Sequence, residues 1–549
     1  MVSSGMVSSE STSSESPRST ASTLYRGGFV LSPADPFATA IIIVDNEVAW
    51  IGTDEAASRH CDGVDTIVEL DGALVTPTFV DAHVHTSATG MALRSVELSD
   101  VRSVKDALAR IEAAARKRQG RPIYAPNWDE DTWPEHRPPT AAEVDRATYG
   151  GVLYSPRVDG HSAVISSALA VASGARNLPG WNNSGLVTRE AHHAARDAFH
   201  AGISPADRRT DIDAALKAAA AAGIGLVHEN AGPYLSSAQD LADVLAAGDR
   251  GDGPQVIGYW AELVAHESQA RALVQRHGVR GLAGDLNVDG SIGSRTASLR
   301  TPYVDGYDPL DSLDQPHSGN AYLTVEQVRD HVAACSVAGI QAGFHVIGDA
   351  GADTVIDGMK AAAAQVGTAR VVAARHRLEH LEMVDDAGIQ ALVELGVTAS
   401  VQPAFDARWG GPYGMYAARL GRDRVTGMNP FASMAAADMA LAFGSDTPVT
   451  PFAPWEAVHA AVNHHEPAHR ISVETAFLAH TRGGWRVAGI DDRGFLDLGQ
   501  PATFAVWSLV DDAPTGTTGL PDMSPGTALP TNLRTVIRGR TVFDQGAFS

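Results

Sequence analysis

The sequence predicts an α/β chain: a (β/α)8 TIM-like barrel, a small β-sandwich formed from both termini, and a large insertion after the first barrel strand. Three observations carry this. Strand-like apolar runs alternate with helical patterns through the middle of the chain, as parallel βα units do. β-branched runs with turn signals occupy both ends. The candidate middle strands count to eight, and several end in histidine or aspartate, where barrel enzymes place their chemistry.

Residues 1–22 are Ser/Thr-rich and lack both a basic n-region and an apolar h-region, so they read as a disordered tail and not as a secretory leader. Residues 23–76 hold "AIIIVDNEVAWIG" and "DTIVELDGALVTP", with turns at Asp45-Asn46 and Asp71-Gly72. They form the first part of the sandwich. Residues 497–549, with "PATFAVWSLV" and "LRTVIRGRTVFDQG", form the second.

Between them, residues 77–496 form the barrel. Its expected strands are Phe79–His85, Gly225–Glu229, Val256–Trp260, Leu282–Asp289, Gln341–His345, His376–His380, Thr398–Gln402 and Leu441–Asp446. Helices fall between them. One opens at Thr210 and ends at Gly223, one follows a capping box of Thr324 and Gln327, and "DDAGIQALVELG" ends at a glycine. The first two strands are separated by far more than an ordinary βα connection, so residues about 90–205 are an insertion. Because βα loops lie on the catalytic face, it is expected to roof the pocket.

The composition narrows the function classes. The chain has 549 residues, 44% of them hydrophobic, and a formal net charge of −23. That is ample for a large core. No basic stripe is present to meet nucleic acid, and the acidic surface disfavours anionic membranes. No apolar run is long enough to span a bilayer. Cys61 and Cys335 are far apart and form no CxxC motif or disulfide framework, which fits a reduced, cytoplasmic setting.

His83 and His85 in "TFVDAHVH" lie two apart at a strand end, so both imidazoles can aim at one point. A His-x-His pair alone is more often an ordinary pair of strand histidines. Here His345, His380 and Asp446 end three other strands of the same barrel, and the conjunction reads as a metal site. Imidazole nitrogen and carboxylate oxygen suit zinc and similar divalent ions. His464, His465 and His469 lie beyond the eighth strand and read as surface residues. No G-x-S-x-G follows a strand, and no G-x-G-x-x-G is present.

"TFVDAHVH", "GFHVIGDAGADTVID", "RHRLEHLEMVD", "ASVQP" and "FGSDTPV" together resemble the metal motifs of the amidohydrolase superfamily, in its amidohydrolase 3 group. "WDEDTWPEHRPPT", "RVDGHSA" and "DGSIGSRTA" resemble that group as well. The group includes N-substituted formamide deformylases. The resemblance implies His83, His85, His345, His380 and Asp446 as ligands of one or two divalent ions, with Asp446 also shuttling the proton. His380 is implied as a ligand or as a histidine beside the metal.

The chain departs from the pattern at the fourth strand. Relatives often carry a lysine that, once carboxylated, bridges two metals, and here "GDLNVDG" puts Asp285 in its place. Aspartate is several bonds shorter, so a single metal on His83, His85, His345 and Asp446 is favoured. A bridge by Asp285 or by Glu229 is the alternative, and both residues also suit polar support or helix capping. Strand alternation would put Asp285, Asn287 and Asp289 on one side. Trp128, Arg157, His161, Asp289 and Arg295 are the candidate substrate contacts.

The expected activity is hydrolysis of a non-peptide C–N bond in a small molecule, most simply an amide. The same ligands would serve hydrolytic deamination of an amino-heterocycle. A catalytically inactive binding protein is the reading of another class, and the retained ligand set argues against it. Pairing of barrels into a homodimer is compatible with this picture.

Overall fold

The computed structural model describes residues 21–130, 133–157, 162–233, 235–293, 295–305, 317–509 and 519–548. Apolar, β-branched runs form an eight-stranded parallel sheet in sequential order. Its strands are β1 Phe79–Val84, β2 Ile224–Ala231, β3 Gln255–Trp260, β4 Gly281–Leu282, β5 Gln341–Val346, β6 Arg377–His380, β7 Thr398–Val401 and β8 Ala440–Phe443. Beyond β8 the barrel closes on β1. The Asp446 N–H donates to the His83 carbonyl at 2.8 Å, and the His85 N–H to the Thr447 carbonyl at 3.0 Å. Asp81 on β1 reinforces the seam, its Oδ1 accepting the Ser445 N–H at 2.9 Å. Strands buried on both faces need no polar alternation, and five of them are buried at every position.

The eight strands lie where the sequence placed them, with one substantial difference. The fourth was expected over Leu282–Asp289 and is only Gly281–Leu282. Gly284 turns the chain with φ +89°, where a Cβ would meet the Asn230 Oδ1 at 2.8 Å. Only glycine takes this conformation and this approach without strain.

Both termini build the sandwich. One sheet runs Glu47–Gly52, Ala40–Val44, Ser22–Arg26, Thr66–Glu69. The other runs Phe29–Val30, Leu74–Pro77, Phe504–Ser508, Thr531–Ile537, Arg540–Asp544. Tyr25, Ile41, Val75, Phe504 and Val506 close its core. The insertion carries its own four-stranded sheet, of Leu186–Thr188, Ser162–Ile165, Leu153–Pro156 and Ile123–Tyr124.

Three helices bear on the site. α1 (Thr86–Leu93) follows β1 directly, α2 (Arg189–Ala201) ends the insertion, and α3 (Pro205–Ala221) precedes β2. α3 starts before the expected Thr210, because Ser204 caps it and Pro205 suits its first turn. α1 and α3 meet at Gly90, where a Cβ would stand 1.8 Å from the Asp211 carbonyl oxygen. Gly90→Ala must push the helices apart, and is expected to cost about 1–3 kcal/mol as overpacking does. Denaturant titration reads this as a lower midpoint, and an unchanged midpoint would refute the tight crossing. No helix among the described residues is long and apolar enough to cross a membrane.

Candidate metal centre

Strand alternation turns Asp81 and His83 of β1 into the barrel. His85 lies just past the strand, at the N-cap of α1. Its ring meets that of His83 edge to face, with centroids 5.3 Å apart. Both Nε2 atoms face the same two carboxylates. His83 Nε2 is 3.4 Å from Asp285 Oδ1 and 3.5 Å from Asp446 Oδ1. His85 Nε2 is 3.1 Å from Asp285 Oδ2 and 3.2 Å from Asp446 Oδ1. Asp446 reaches this point because the chain after β8 turns there with φ +55°.

His345 and His380 approach from β5 and β6. His345 Nδ1 is 3.5 Å and His380 Nε2 3.7 Å from Asp285 Oδ1. The two rings meet edge to face at 4.5 Å. β6 stops at His380 with φ +71°, so that Glu379 and His380 both face the barrel axis although they are adjacent.

Each of three imidazoles is held at its other nitrogen by an acceptor. His83 Nδ1 is 2.9 Å from Glu379 Oε2, His345 Nε2 is 3.2 Å from the Gly290 carbonyl, and His380 Nδ1 is 2.8 Å from Gln402 Oε1. An acceptor there requires an N–H, so the lone pair is left on the nitrogen that faces Asp285.

These donors fit a divalent cation. The separations from 3.1 to 3.7 Å are mostly too long for hydrogen bonds. Two ligands on one tetrahedral ion with bonds of about 2.0–2.1 Å stand about 3.3 Å apart. His83 Nε2 and Asp285 Oδ1 are buried without a hydrogen-bond partner. Burial opposes a charged His83, yet Asp285 and Asp446 outweigh it and hold the imidazole up at about 10. Burial likewise opposes charge on His85 and His345, and Asp285 with Asp446 for the first, and Asp285 with Asp289 for the second, hold them above their ordinary value. Burial also opposes charge on the two aspartates, and the surrounding imidazoles outweigh it and keep both low. Such a cluster demands positive charge at its centre, and a divalent metal supplies it.

The other candidates are placed as follows. Because β4 ends early, Asp285, Asn287 and Asp289 do not share a face. Asp285 enters the cluster and Asn287 is exposed. Asp289 is buried, and accepts the backbone N–H groups of Ser298, Ile347 and Gly348 at 2.8, 2.9 and 2.7 Å. It therefore holds the turn after β5. Glu229 Oε2 accepts the Thr86 N–H at 2.8 Å, which makes it a support for the first turn of α1. It joins neither group of clustered metal donors, which are His83–Asp285–His380 and His83–His85–Asp446 among the described residues.

Trp128 is 1% exposed, and donates its indole N–H to the Ser155 carbonyl inside the insertion's own core. It packs there together with Trp133. Arg157 pairs with Glu130 at 2.9 Å and Asp129 at 3.1 Å within the insertion. Arg295 pairs with Asp305 at 2.7 Å, and Asp305 also binds Arg419 of the helix Met415–Leu420 at 2.6 Å. His161 lies outside the described residues. His464, expected on the surface, is buried with its Nε2 3.4 Å from Asp406 Oδ1.

Sequence reasoning missed Arg377 and Glu379. Both are fully buried on β6, paired at 2.5 Å. Arg377 also donates to the Ala82 carbonyl at 2.6 Å and to Ser400 Oγ at 3.0 Å, and lies over the Tyr259 ring at 4.5 Å. The signal was present: in "RHRLEH" opposite charges stand two apart inside a strand that must be buried on both faces.

A cavity of about 700 Å³ opens at His85 and Glu229. α1 contributes Ser87 and Met91 to its wall, the insertion's α2 contributes Arg196 and His200, and the segment after β2 contributes Pro233 and Leu235. The insertion thus borders a cavity that reaches the metal cluster, with α2 as the bordering element.

A model described as the amidohydrolase family matches residues 66–543. Protein LONG AFTER FAR-RED 3 of Arabidopsis thaliana is 26% identical over 518 residues, covering 86% of this chain and 84% of its own. An N-substituted formamide deformylase of Arthrobacter pascens is 24% identical over 509 residues, covering 85% and 90%. Among solved structures, an uncharacterized metal-dependent hydrolase from Pyrococcus furiosus has the same fold. It superposes with a TM-score of 0.72 at 24% identity, over 88% of this chain and 98% of its own.

Proposed function

We propose, from the premise that this chain belongs to the amidohydrolase family of metal-dependent hydrolases, that it cleaves a non-peptide C–N bond in a small amide. N-substituted formamides are the first substrates to try, given the deformylase among its relatives. The observation that carries the reading is the convergence of His83, His85, His345, His380, Asp285 and Asp446 beside an open cavity. Imidazole nitrogen and carboxylate oxygen donors suit zinc.

When bound, the cation polarises the substrate carbonyl and acidifies a water. The chain's own residues do the rest. Asp446, kept ionised by the imidazoles around it, accepts the water's proton and returns it to the leaving nitrogen. Glu379 and Gln402 hold His83 and His380 in the tautomers the site needs. The cavity between α1, α2 and the segment after β2 receives the substituent on the amide.

Stripping the protein with a chelator is expected to abolish turnover of an N-substituted formamide, and zinc or manganese to restore it. Equal activity of stripped and loaded protein would sink the reading. Ammonia release from amino-heterocycles, without turnover of any acyl amide, would replace it with deamination.

A further inference from the structure

We propose that the seam between the sandwich and the barrel holds a second binding site, for a small carboxylate carried on an aromatic or branched apolar body. A cavity of about 500 Å³ opens there, within the usual size of sites for small organic ligands. Its barrel wall comes from the N-terminal parts of β2 and β3, with Leu226, Gln255 and Ile257, and from Trp485 and Ile490. Its sandwich wall comes from Asn46, Pro501, Thr503 and Arg538. The metal donors lie at the opposite, C-terminal ends of the strands, so the two sites are separate.

Two features of the lining select the ligand. The first is apolar surface that the fold leaves partly uncovered. Leu226 and Trp485 form a small core with Val80, and Ile257 and Ile490 pack against it while only half-buried. Phe495 adds a second aromatic ring. Such a floor takes up an apolar body. The second feature is charge. The chain carries a net −23, yet no aspartate or glutamate among the described residues lines this cavity, and two arginines do. Arg493 is engaged, its Nη1 donating to Asp492 Oδ2 at 2.8 Å and to Gln500 Oε1 at 3.2 Å. Arg538 is exposed at the mouth. Its main-chain N–H donates to Thr503 Oγ1 at 3.1 Å, and its guanidinium meets no carboxylate among the described residues. Asn46 and Gln255 add amide N–H donors beside it. A carboxylate satisfies a free guanidinium with two parallel hydrogen bonds. A cationic ligand would meet two like charges and no lining anion.

The sandwich wall is firm. The Ala502 N–H donates to the Asn46 carbonyl at 2.8 Å, and the Gly539 N–H to the Ala502 carbonyl at 2.8 Å. The three turns that carry Asn46, Pro501 and Arg538 are thereby tied into one surface, and the cavity is preformed. An occupant touches barrel and sandwich together, so binding stabilises the fold by mass action.

The probe is 2-naphthoate, titrated calorimetrically into the zinc-loaded full chain. A saturable site is expected, with a thermal midpoint that rises with naphthoate concentration. Stripping the zinc separates this site from the metal centre, which also attracts carboxylates, and the affinity should be unchanged in the stripped protein. The neutral 2-acetylnaphthalene has the same body without the charge, and should bind at least about tenfold more weakly. Arg538→Gln, a change at an exposed position, should weaken naphthoate by about tenfold, the worth of one hydrogen bond to a charged group. Ile490→Trp, which fills the apolar end, should abolish binding with an unchanged circular dichroism spectrum. The Arg538→Gln result stands by itself if the larger replacement disturbs the fold. No saturable binding, a ketone as tight as the naphthoate, wild-type affinity in Arg538→Gln, or a site lost with the zinc would each overturn the proposal.

Discussion

Asp446→Asn is expected to lower kcat by about 10²–10⁴, the usual worth of a positioned general acid–base. Asparagine is the sharpest replacement. Residue 446 sits at φ +55° with its N–H bonded to the His83 carbonyl, and asparagine tolerates that left-handed conformation well. It also keeps an oxygen where Oδ1 now faces His83 and His85. What it loses is the ability to take a proton from water and hand it to the leaving nitrogen. Losing one anionic donor will also weaken the cation on that side, so turnover is to be measured at saturating zinc with metal content recorded alongside. A protein that holds its zinc and loses turnover identifies Asp446 as the proton carrier. A kcat within about tenfold of wild type at full loading would assign that task elsewhere.

The second large effect falls on stability. Glu379→Ala is expected to cost about 3–5 kcal/mol, because it leaves the Arg377 guanidinium charged, fully buried and without its carboxylate. The remaining acceptors, the Ala82 carbonyl, Ser400 Oγ and His228 Nδ1, carry no negative charge. Replacing both partners by apolar residues, as in Arg377→Met with Glu379→Leu, should cost less than the single change, since no buried charge is then left unpaired. The same substitution frees His83 Nδ1 from its anchor and should lower metal affinity about 10–100-fold, as loss of such outer partners does. Denaturant midpoints and zinc titrations read the two effects separately. A wild-type midpoint for Glu379→Ala would remove the pair from any structural role.

The pH dependence follows with a definite sign. Burial alone would raise the Glu379 pKa, but Arg377 and His83 outweigh it and hold the carboxyl down at about 2. A depressed carboxyl contributes its stability fully above its unfolded value and loses it as pH falls toward the folded one. Acid unfolding of the wild type between about pH 4.5 and 2 should therefore include a proton taken up at Glu379. That part of the slope should vanish in the double variant.

Much of the architecture was legible because its signals are local. Alternating βα patterns, β-branched runs at both termini and several strand ends carrying histidine or aspartate follow from period and composition, and the barrel and its candidate metal ligands could be placed from them. Alternation along one strand was enough to aim His83 and His85 together. Trp128 and Arg157 illustrate where this fails. A tryptophan or arginine in a long insertion looks the same whatever it meets, and only the fold shows that Trp128 is buried against Ser155 and that Arg157 pairs with Asp129 and Glu130.

The fourth strand marks the sharpest boundary between the two kinds of information. From the residues alone, "GDLNVDG" reads as a regular strand with three polar side chains on one face, from which Asp285 could bridge only if the backbone or the metal moved. The turn at Gly284 depends on how closely β2 approaches through Asn230, a contact made by residues more than fifty positions away. Pairing of Arg377 with Glu379 beneath His83 likewise depends on β1 and β6 facing each other across the closed barrel. Local pattern is enough to say which side chains are available to hold a metal and that a barrel presents them. Tertiary structure decided which of them meet, because ligand geometry is set to within an ångström by long-range packing, and periodicity in a chain carries no information at that distance.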